Sequence, residues 1–262
     1  KSSYRKDSLF ADPLRPSTTS RDQPLLFSAN GSVELLAGLT AYSGYVRGLE
    51  ESAIAPDIAT NHSEAPPALR TSQMDGGMRY AITPKLAMIL GLFAVRKPYF
   101  NLDAANRFRQ LGKIRNRGVE VSIAGTVLPG VTVIAGALLL DAKASGEALA
   151  AGIIGPHPVG TVSKRATANF DWKPVGQEAW SFDLSYEGFS GAVGDRLNTF
   201  KAPARTTIGL GTRYRFSLGS AKLLLRGQVT NLFNDYSWRV SSSGGFNFTL
   251  PRKAIISLTA DF

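Results

Sequence analysis

The chain has 262 residues, 30 Lys and Arg against 20 Asp and Glu, and a net charge of +10. Hydrophobic residues at 44% and aromatics at 10% are too abundant for intrinsic disorder. The lack of cysteine excludes a disulfide framework, a zinc–thiolate centre and a cysteine nucleophile.

The longest apolar runs, residues 87–95 and 131–140, are too short for a spanning helix of ~18 residues, although a tilted barrel strand needs only about 9–11. Residues 1–30 carry Pro13, Pro16 and Pro24 and show no amphipathic helical pattern. After them the hydrophobic period is two, that of a strand with one apolar and one polar face. Residues 39–49 read as a strand, and Met74, Met78 and Tyr80 oppose Gln73, Asp75 and Arg79. Residues 86–95 are a strand by their turn boundaries, and Val119, Val121 and Ile123 then oppose Glu120, Ser122 and Ala124. Residues 131–142 are again bounded by turns; like 39–49 and 86–95, their two faces are not distinguished by pattern. Ala166, Ala168, Phe170 and Trp172 alternate with polar residues, as do Trp180, Phe182, Leu184 and Tyr186. Thr206, Ile208, Leu210, Thr212, Tyr214 and Phe216 oppose a face with Arg205, Arg213 and Arg215, and Arg226 falls on the next strand. The last strand sets Ala254, Ile256, Leu258, Ala260 and Phe262 against Lys253, Ile255, Ser257, Thr259 and Asp261.

Connection lengths alternate. Short ones fall at residues 83–85, 128–130, 173–177 and 217–220; longer polar ones fall at 51–68, 97–112, 145–161, 191–203 and 236–248. A meander with tight turns at one end and long loops at the other is the pattern of an outer-membrane β-barrel, its short turns facing the periplasm. Trp172, Trp180, Tyr214 and Phe216 lie beside short turns on the apolar face, where an interfacial aromatic girdle belongs. The expected fold is therefore all-β, an antiparallel transmembrane β-barrel of about ten strands. A soluble β-sandwich would not require charged residues on every opposite face together with alternating loop lengths.

Asn231-Leu232-Phe233-Asn234 with Tyr236, then a loop, Pro251-Arg252 and a terminal strand ending in Phe262, resembles the closing hairpin of TonB-dependent outer-membrane receptors. Arg117-Gly118-Val119-Glu120 with the Leu128-Pro129-Gly130 turn, and Tyr42 to Gly48 ahead of a long loop, are similar to the same family, so the resemblance runs from about Gly38 to Phe262. Arg47-Gly48-Leu49-Glu50 and Arg96-Lys97-Pro98-Tyr99-Phe100 followed by Asn101-Leu102-Asp103 resemble its siderophore-receptor branch.

The resemblance implies a plugged barrel of about 22 strands, of which residues 1–262 are the C-terminal part; plug domain, TonB-contacting segment and signal peptide are expected to be absent from this chain. It further implies uptake of a scarce solute, a ferric siderophore above all, driven through the TonB complex at the cell outer membrane, without catalysis or cofactor. A bulky, often anionic chelate calls for cationic groups and flat aromatic surface. The ligand candidates are accordingly Lys97, Tyr99, Phe100, Arg107, Phe108 and Arg109 in one long loop, and Tyr236, Trp238, Arg239 and Phe246 in the last. The bland alternative for each is loop packing or contact with lipopolysaccharide. Ala254, Ile256, Leu258, Ala260 and Phe262 resemble the signal read by the barrel-assembly machinery through β-augmentation.

Other motifs point elsewhere weakly. His62 and His157 read as solvated loop histidines without acidic neighbours, so no metal site is expected. Ser190-Gly191 lacks the rest of a nucleophile elbow, and Gly209-Leu210-Gly211 lies mid-strand with no helix after it. The basic residues Arg205, Arg213, Arg215 and Arg226 read as a lumen lining rather than a nucleic-acid face, and structural pairing with Asp171, Asp183, Glu187 and Asp261 is favoured over a field for anionic cargo. The rival functions are an autotransporter translocator, which needs a pore-threading helix before the first strand, a passive porin, and a soluble all-β binding module.

Overall fold

The computed structural model describes residues 4–8, 18–50, 55–62, 64, 68–242 and 244–261. A small hairpin, β1 (Tyr4–Ser8) with β2 (Thr18–Asp22), precedes one antiparallel sheet of 11 strands. In chain order the sheet contains β3 (Phe27–Leu36), β4 (Leu39–Glu50), β5 (Leu69–Thr83), β6 (Leu86–Leu102), β7 (Phe108–Leu128) and β8 (Val131–Ser145). After a single helical turn, α1 (Glu147–Ala150), it continues through β9 (Lys164–Trp172) and β10 (Trp180–Phe189). The loop hairpin β11 (Ala192–Val193) and β12 (Lys201–Ala202) leads to β13 (Arg205–Leu218) and β14 (Ala221–Thr230). A last loop hairpin, β15 (Trp238–Val240) and β16 (Phe246–Phe248), leads to β17 (Lys253–Asp261). Every sheet strand pairs with its sequence neighbour in the sheet, and β3 and β17 form the two edges.

The registers assign every side chain to a face, because directly paired residues project on the same side. Leu184, Leu210 and Val229 share one rung of one face with Phe170 and Ala254. Followed across the sheet, this face carries Val133, Val121, Leu90, Met78 and Tyr45 in the remaining strands. Many of these are exposed: Leu90, Met78, Val121, Phe170, Leu184, Leu210 and Leu225 among them. A single sheet buries almost none of its large apolar side chains; buried hydrophobics are mostly alanines in loops and strand ends. An exposed apolar face of this kind is what an outer-membrane-type barrel wall turns outward. Among the described residues no helix is long and apolar enough to cross a membrane, which says nothing against crossing by strands.

The opposite face accounts for two of the three irregular strands, and the register of β4 puts Ala41 and Tyr45 on the apolar side and Thr40 and Tyr42 on the other. β6 and β8 turn Ile89, Phe93, Ile134, Leu138 and Leu140 toward the polar side, so both of their faces are apolar and period two is blurred. Tight turns join β3–β4, β5–β6, β7–β8 and β13–β14, three of them through glycines in the left-handed region: Gly38 (φ 78°), Gly130 (φ 77°) and Gly219 (φ 60°). Beside them the expected girdle forms a continuous row. Trp172 and Trp180 both contact Phe182, with ring centroids at 5.4 and 6.0 Å; Trp180 meets Tyr214 at 4.6 Å, and Tyr214 meets Phe216 at 5.6 Å.

Two expectations change. Residues 97–112 are not a loop: β6 runs to Leu102 and β7 starts at Phe108, so a long hairpin rises with only a tight turn at its tip. Residues 27–36, unassigned from sequence, form edge strand β3.

Candidate functional site

At the end away from the tight turns, the long connections close over the polar face of the sheet. They enclose a cavity of about 750 Å³, lined by Lys97, Tyr99 and Asn116 on the hairpin, Leu140 and Ala142 on β8, and loop residues including His157, Arg196, Phe200 and Phe246.

Local chemistry fixes each wall. On the hairpin, Asp103 turns the chain: its Oδ1 accepts from the N–H of Ala105 and of Arg107, both at 2.9 Å, and Asn106 takes φ 56°. Arg109 then straps the hairpin to α1. Its Nε donates to Asp103 at 2.6 Å, and its two terminal nitrogens donate to the Glu147 carboxylate at 3.0 and 2.6 Å. This bidentate fork is geometrically specific. The Arg109 guanidinium holds both Asp103 and Glu147 below the usual carboxylate range. Under the strap, Leu111, Ala144, Ala148 and Ile154 form a small apolar core, with Tyr99, Leu149 and Ile153 packed against it.

The connection between β10 and β13 is organised by Asp195. Burial pushes its carboxyl up, but the N–H of Phe200, the hydroxyl and N–H of Thr199 and the N–H of Leu197 together bring it below its ordinary value. Asn198, at φ 62°, reaches across to the neighbouring loop, accepting from the His157 N–H at 2.8 Å and donating to its carbonyl at 2.9 Å. His157 Nδ1 lies 2.9 Å from the Ala142 carbonyl. A carbonyl only accepts, so Nδ1 carries a proton and donates it to this bond.

The last connection is clasped by Asn231, 4% exposed, at φ 50°. Its amide donates to the carbonyls of Asp235 and Leu250 at 2.9 Å, and its oxygen accepts from the Asp235 N–H at 2.9 Å. Asn234 accepts from the Arg252 N–H at 2.9 Å, and the Arg252 guanidinium donates to the Leu232 carbonyl at 3.4 Å. The sequence Asn231 to Asn234 and Pro251-Arg252 is thus one mechanical unit that shuts the base of this loop. Above it the rings of Tyr236, Phe248, Trp238, Phe246 and Phe200 contact one another in series.

The expected ligand residues divide. Lys97 and Tyr99 reach the cavity, as does Phe246. Tyr236, Trp238 and Arg239 sit on the last loop outside the cavity lining; the two rings join the aromatic series that reaches the cavity through Phe246 and Phe200. Phe100 packs on Phe108 at the hairpin tip with centroids 5.9 Å apart, and Arg107 belongs to the tip turn. Arg109 is consumed by its two carboxylates. His157, read from sequence as solvated, is half-buried and bonded in the wall. Phe200, Arg196 and Asn116 went unseen, since nothing in their local sequence marks which loop residues turn inward. Ser190 is occupied structurally, its hydroxyl accepting from the N–H groups of Ser163 and Lys164. Ala254, Ile256, Leu258 and Ala260 share the apolar face of β17, while Phe262 lies outside the described residues.

Below the cavity the polar face carries charge. Arg213 pairs with Asp171 at 2.7 Å and with Asp183 at 2.8 Å, and Arg226 lies 4.0 Å from Asp183. The expected pairing of lumen arginines therefore holds for Asp171 and Asp183. Among the described residues Glu187 and Asp261 form no ion pair, and Asp261 opposes Lys222 across the ladder.

An antiparallel meander with a lipid-type apolar face, a charged inner face, an aromatic girdle at its tight turns and folded loops at its other end is a section of outer-membrane-type β-barrel wall. The chain belongs to the TonB-dependent receptor family: it matches the family described as TonB dependent receptor-like, beta-barrel, over residues 3–232. It is 24% identical over 232 residues to the ferrichrome receptor of Yersinia enterocolitica, covering 86% of this chain and 30% of that protein. Its fold is that of the ferric preacinetobactin receptor from Acinetobacter baumannii, with TM-score 0.82 and 23% identity over 96% of this chain and 38% of that one. The ferric yersiniabactin uptake receptor from Yersinia pestis is similar with TM-score 0.73 and 14% identity, over 94% of this chain and 39% of that one. The chain therefore spans about a third of the length of these relatives.

Proposed function

We propose that residues 1–262 are the C-terminal part of the barrel of an outer-membrane receptor that takes up a ferric siderophore by TonB-dependent transport. The observation that carries this reading is the cavity of about 750 Å³ at the long-loop end of the polar face, within the usual size range of small-molecule sites. Its wall combines Tyr99, Phe200 and Phe246 with the cations Lys97 and Arg196, the groups a flat, charged chelate requires. The relatives compared above are themselves ferric-chelate receptors by name. Tyr236, Trp238 and Arg239 extend the surface outward, and the tip residues Phe100, Arg107 and Arg109 frame the entrance. On this reading a plug domain fills the lumen and relays force from the TonB complex; lipid and lipopolysaccharide meet the apolar face. The barrel-assembly machinery reads Ala254, Ile256, Leu258, Ala260 and Phe262. The test is radio-iron uptake from a panel of ferric siderophores by cells with and without the parent gene. A receptor-dependent uptake of one chelate that disappears when TonB is removed supports the reading; equal uptake in both strains for every chelate overturns it.

A further inference from the structure

The inner face holds two kinds of arginine. Arg213 is neutralised by two aspartates. One strand-end further toward the loops, Arg165, Phe189 and Arg205 are paired across β9, β10 and β13 and so project from the same face side by side. Both guanidinium groups lie over the one ring: Arg205 Cζ is 3.8 Å and Arg165 Cζ 5.2 Å from the Phe189 centroid. The charge of Arg239, on the last loop, is felt at Arg205, and that of Glu187 partly offsets it. Among the described residues none of the three guanidinium groups has a carboxylate within ion-pair distance or a hydrogen-bond acceptor.

Three cations gathered in this way repel one another, and a ring quadrupole offsets that only in part. Guanidinium forks left without acceptors are matched by carboxylate, phosphate or phenolate oxygens. The place is also apt. Arg165 is paired with Leu138, one same-face step along β8 from Leu140 in the cavity wall, and Thr161 of the same wall precedes Arg165 by one short stretch of chain.

We propose that Arg165 and Arg205, set around Phe189, form with Arg239 of the last loop an anion-binding site at the floor of the outer cavity. It selects chelates that carry net negative charge through carboxylate or catecholate oxygens over neutral hydroxamate chelates. The selectivity rests on the receptor reading above; the anion site itself does not.

The test uses the full-length receptor in detergent, with the Arg165→Gln/Arg205→Gln double variant and the Arg239→Gln variant, each checked for folding by its heat-dependent gel shift. Titration calorimetry measures ferric citrate, a neutral ferric trihydroxamate and inorganic pyrophosphate. The expected result is an anionic-to-neutral affinity ratio that falls by about tenfold or more in the double variant, and a salt dependence of anion binding that weakens with it. A ratio unaltered by both variants, or a preference for the neutral chelate in the unmodified receptor, overturns the proposal while leaving the receptor reading standing. If no chelate binds, the receptor reading fails, and pyrophosphate decides the site: binding lost in the double variant supports it, and no binding to the unmodified receptor overturns it. Arg165→Lys/Arg205→Lys keeps the charge but not the fork, and binding that stays weak in that variant, as in the glutamine pair, supports recognition by guanidinium geometry.

Discussion

Replacing Arg213 by methionine tests the electrostatic logic of the barrel wall. Asp171 and Asp183 are direct register partners on β9 and β10, so their carboxylates are neighbours on one face, both bonded by the Arg213 guanidinium, with Arg226 farther off at 4.0 Å from Asp183. Arg213 comes from β13, where Gly211 opposite Asp183 leaves the space in which the Asp183 carboxylate lies. Its side chain is 21% exposed and those of its partners 32% and 20%, so screening by water is incomplete. Two carboxylates about 5 Å apart at an effective dielectric constant of about 20 repel by ~3 kcal/mol. The two charge-assisted hydrogen bonds lost with the guanidinium add to this, and relaxation of the freed carboxylates toward lumen water subtracts from it. The expected destabilisation is about 3–4 kcal/mol, in the range for breaking a largely buried ionic cluster by removing one partner. Urea unfolding of the full-length receptor in lipid vesicles, followed by gel shift and tryptophan emission, measures it. Adding Asp171→Asn to the Arg213→Met variant should restore about half of the loss or more, because the repelling pair is gone. A cost under about 1 kcal/mol, or no recovery in the double variant, would refute the account of Arg213 as the neutralising centre.

Three further outcomes are expected. Asn231→Ala removes three hydrogen bonds and leaves at φ 50° a residue without the local side-chain hydrogen bonding that lets asparagine hold the left-handed region, so the last loop should open locally by about 2–4 kcal/mol, read as faster proteolysis between residues 235 and 252. The Arg109 strap should respond to acid. Asp103 and Glu147 have folded values depressed by Arg109, so their contribution is present above the ordinary carboxylate range and is lost as pH falls through the depressed values. The hydrogen-exchange protection of residues 103–109, taken relative to the intrinsic rate at each pH, should therefore fall at low pH in the unmodified protein and be low already at neutral pH in Arg109→Gln. Leu210→Lys, on the lipid face among Leu184 and Val229, should cost about 2–4 kcal/mol of folding into bilayers, whereas Gln228→Lys on the opposite face should cost under about 1 kcal/mol; equal costs would reverse the face assignment.

How much of this could be read from the chain depends on where water is. In β9, β10, β13 and β17 one face is apolar and the other polar, so period two is clean and both faces follow from the residues alone. β6 and β8 hide their faces because Ile89, Phe93, Ile134 and Leu138 make the inner wall apolar as well. β3 is obscured for the opposite reason: its lipid face holds the small residues Ala29 and Gly31 between Phe27 and Val33, and its ladder is irregular near Leu35. The hairpin of residues 97–112 turns Tyr99 toward the cavity and buries Leu111 in a small local core, so no single apolar face imposes alternation on it, and strand there looks like loop. The residues of the cavity wall were legible only as residue types. Arg109 has the right chemistry but is taken by Asp103 and Glu147, while His157 and Phe200 are brought to the cavity by Ala142, Asn198 and Asp195, contacts that no local spacing announces.

The aromatic row beside the tight turns has an optical consequence. Of the 3 tryptophans in the chain, Trp172 and Trp180 stand in that row and Trp238 stands in the last loop, at the opposite end of the strands. Brominated acyl chains should quench the first two and leave the third bright, whereas a coloured iron chelate entering from outside should darken the third first. The wall thus carries built-in fluorophores at both of its boundaries, and lipid seating and cargo arrival become separable signals from one unlabelled molecule.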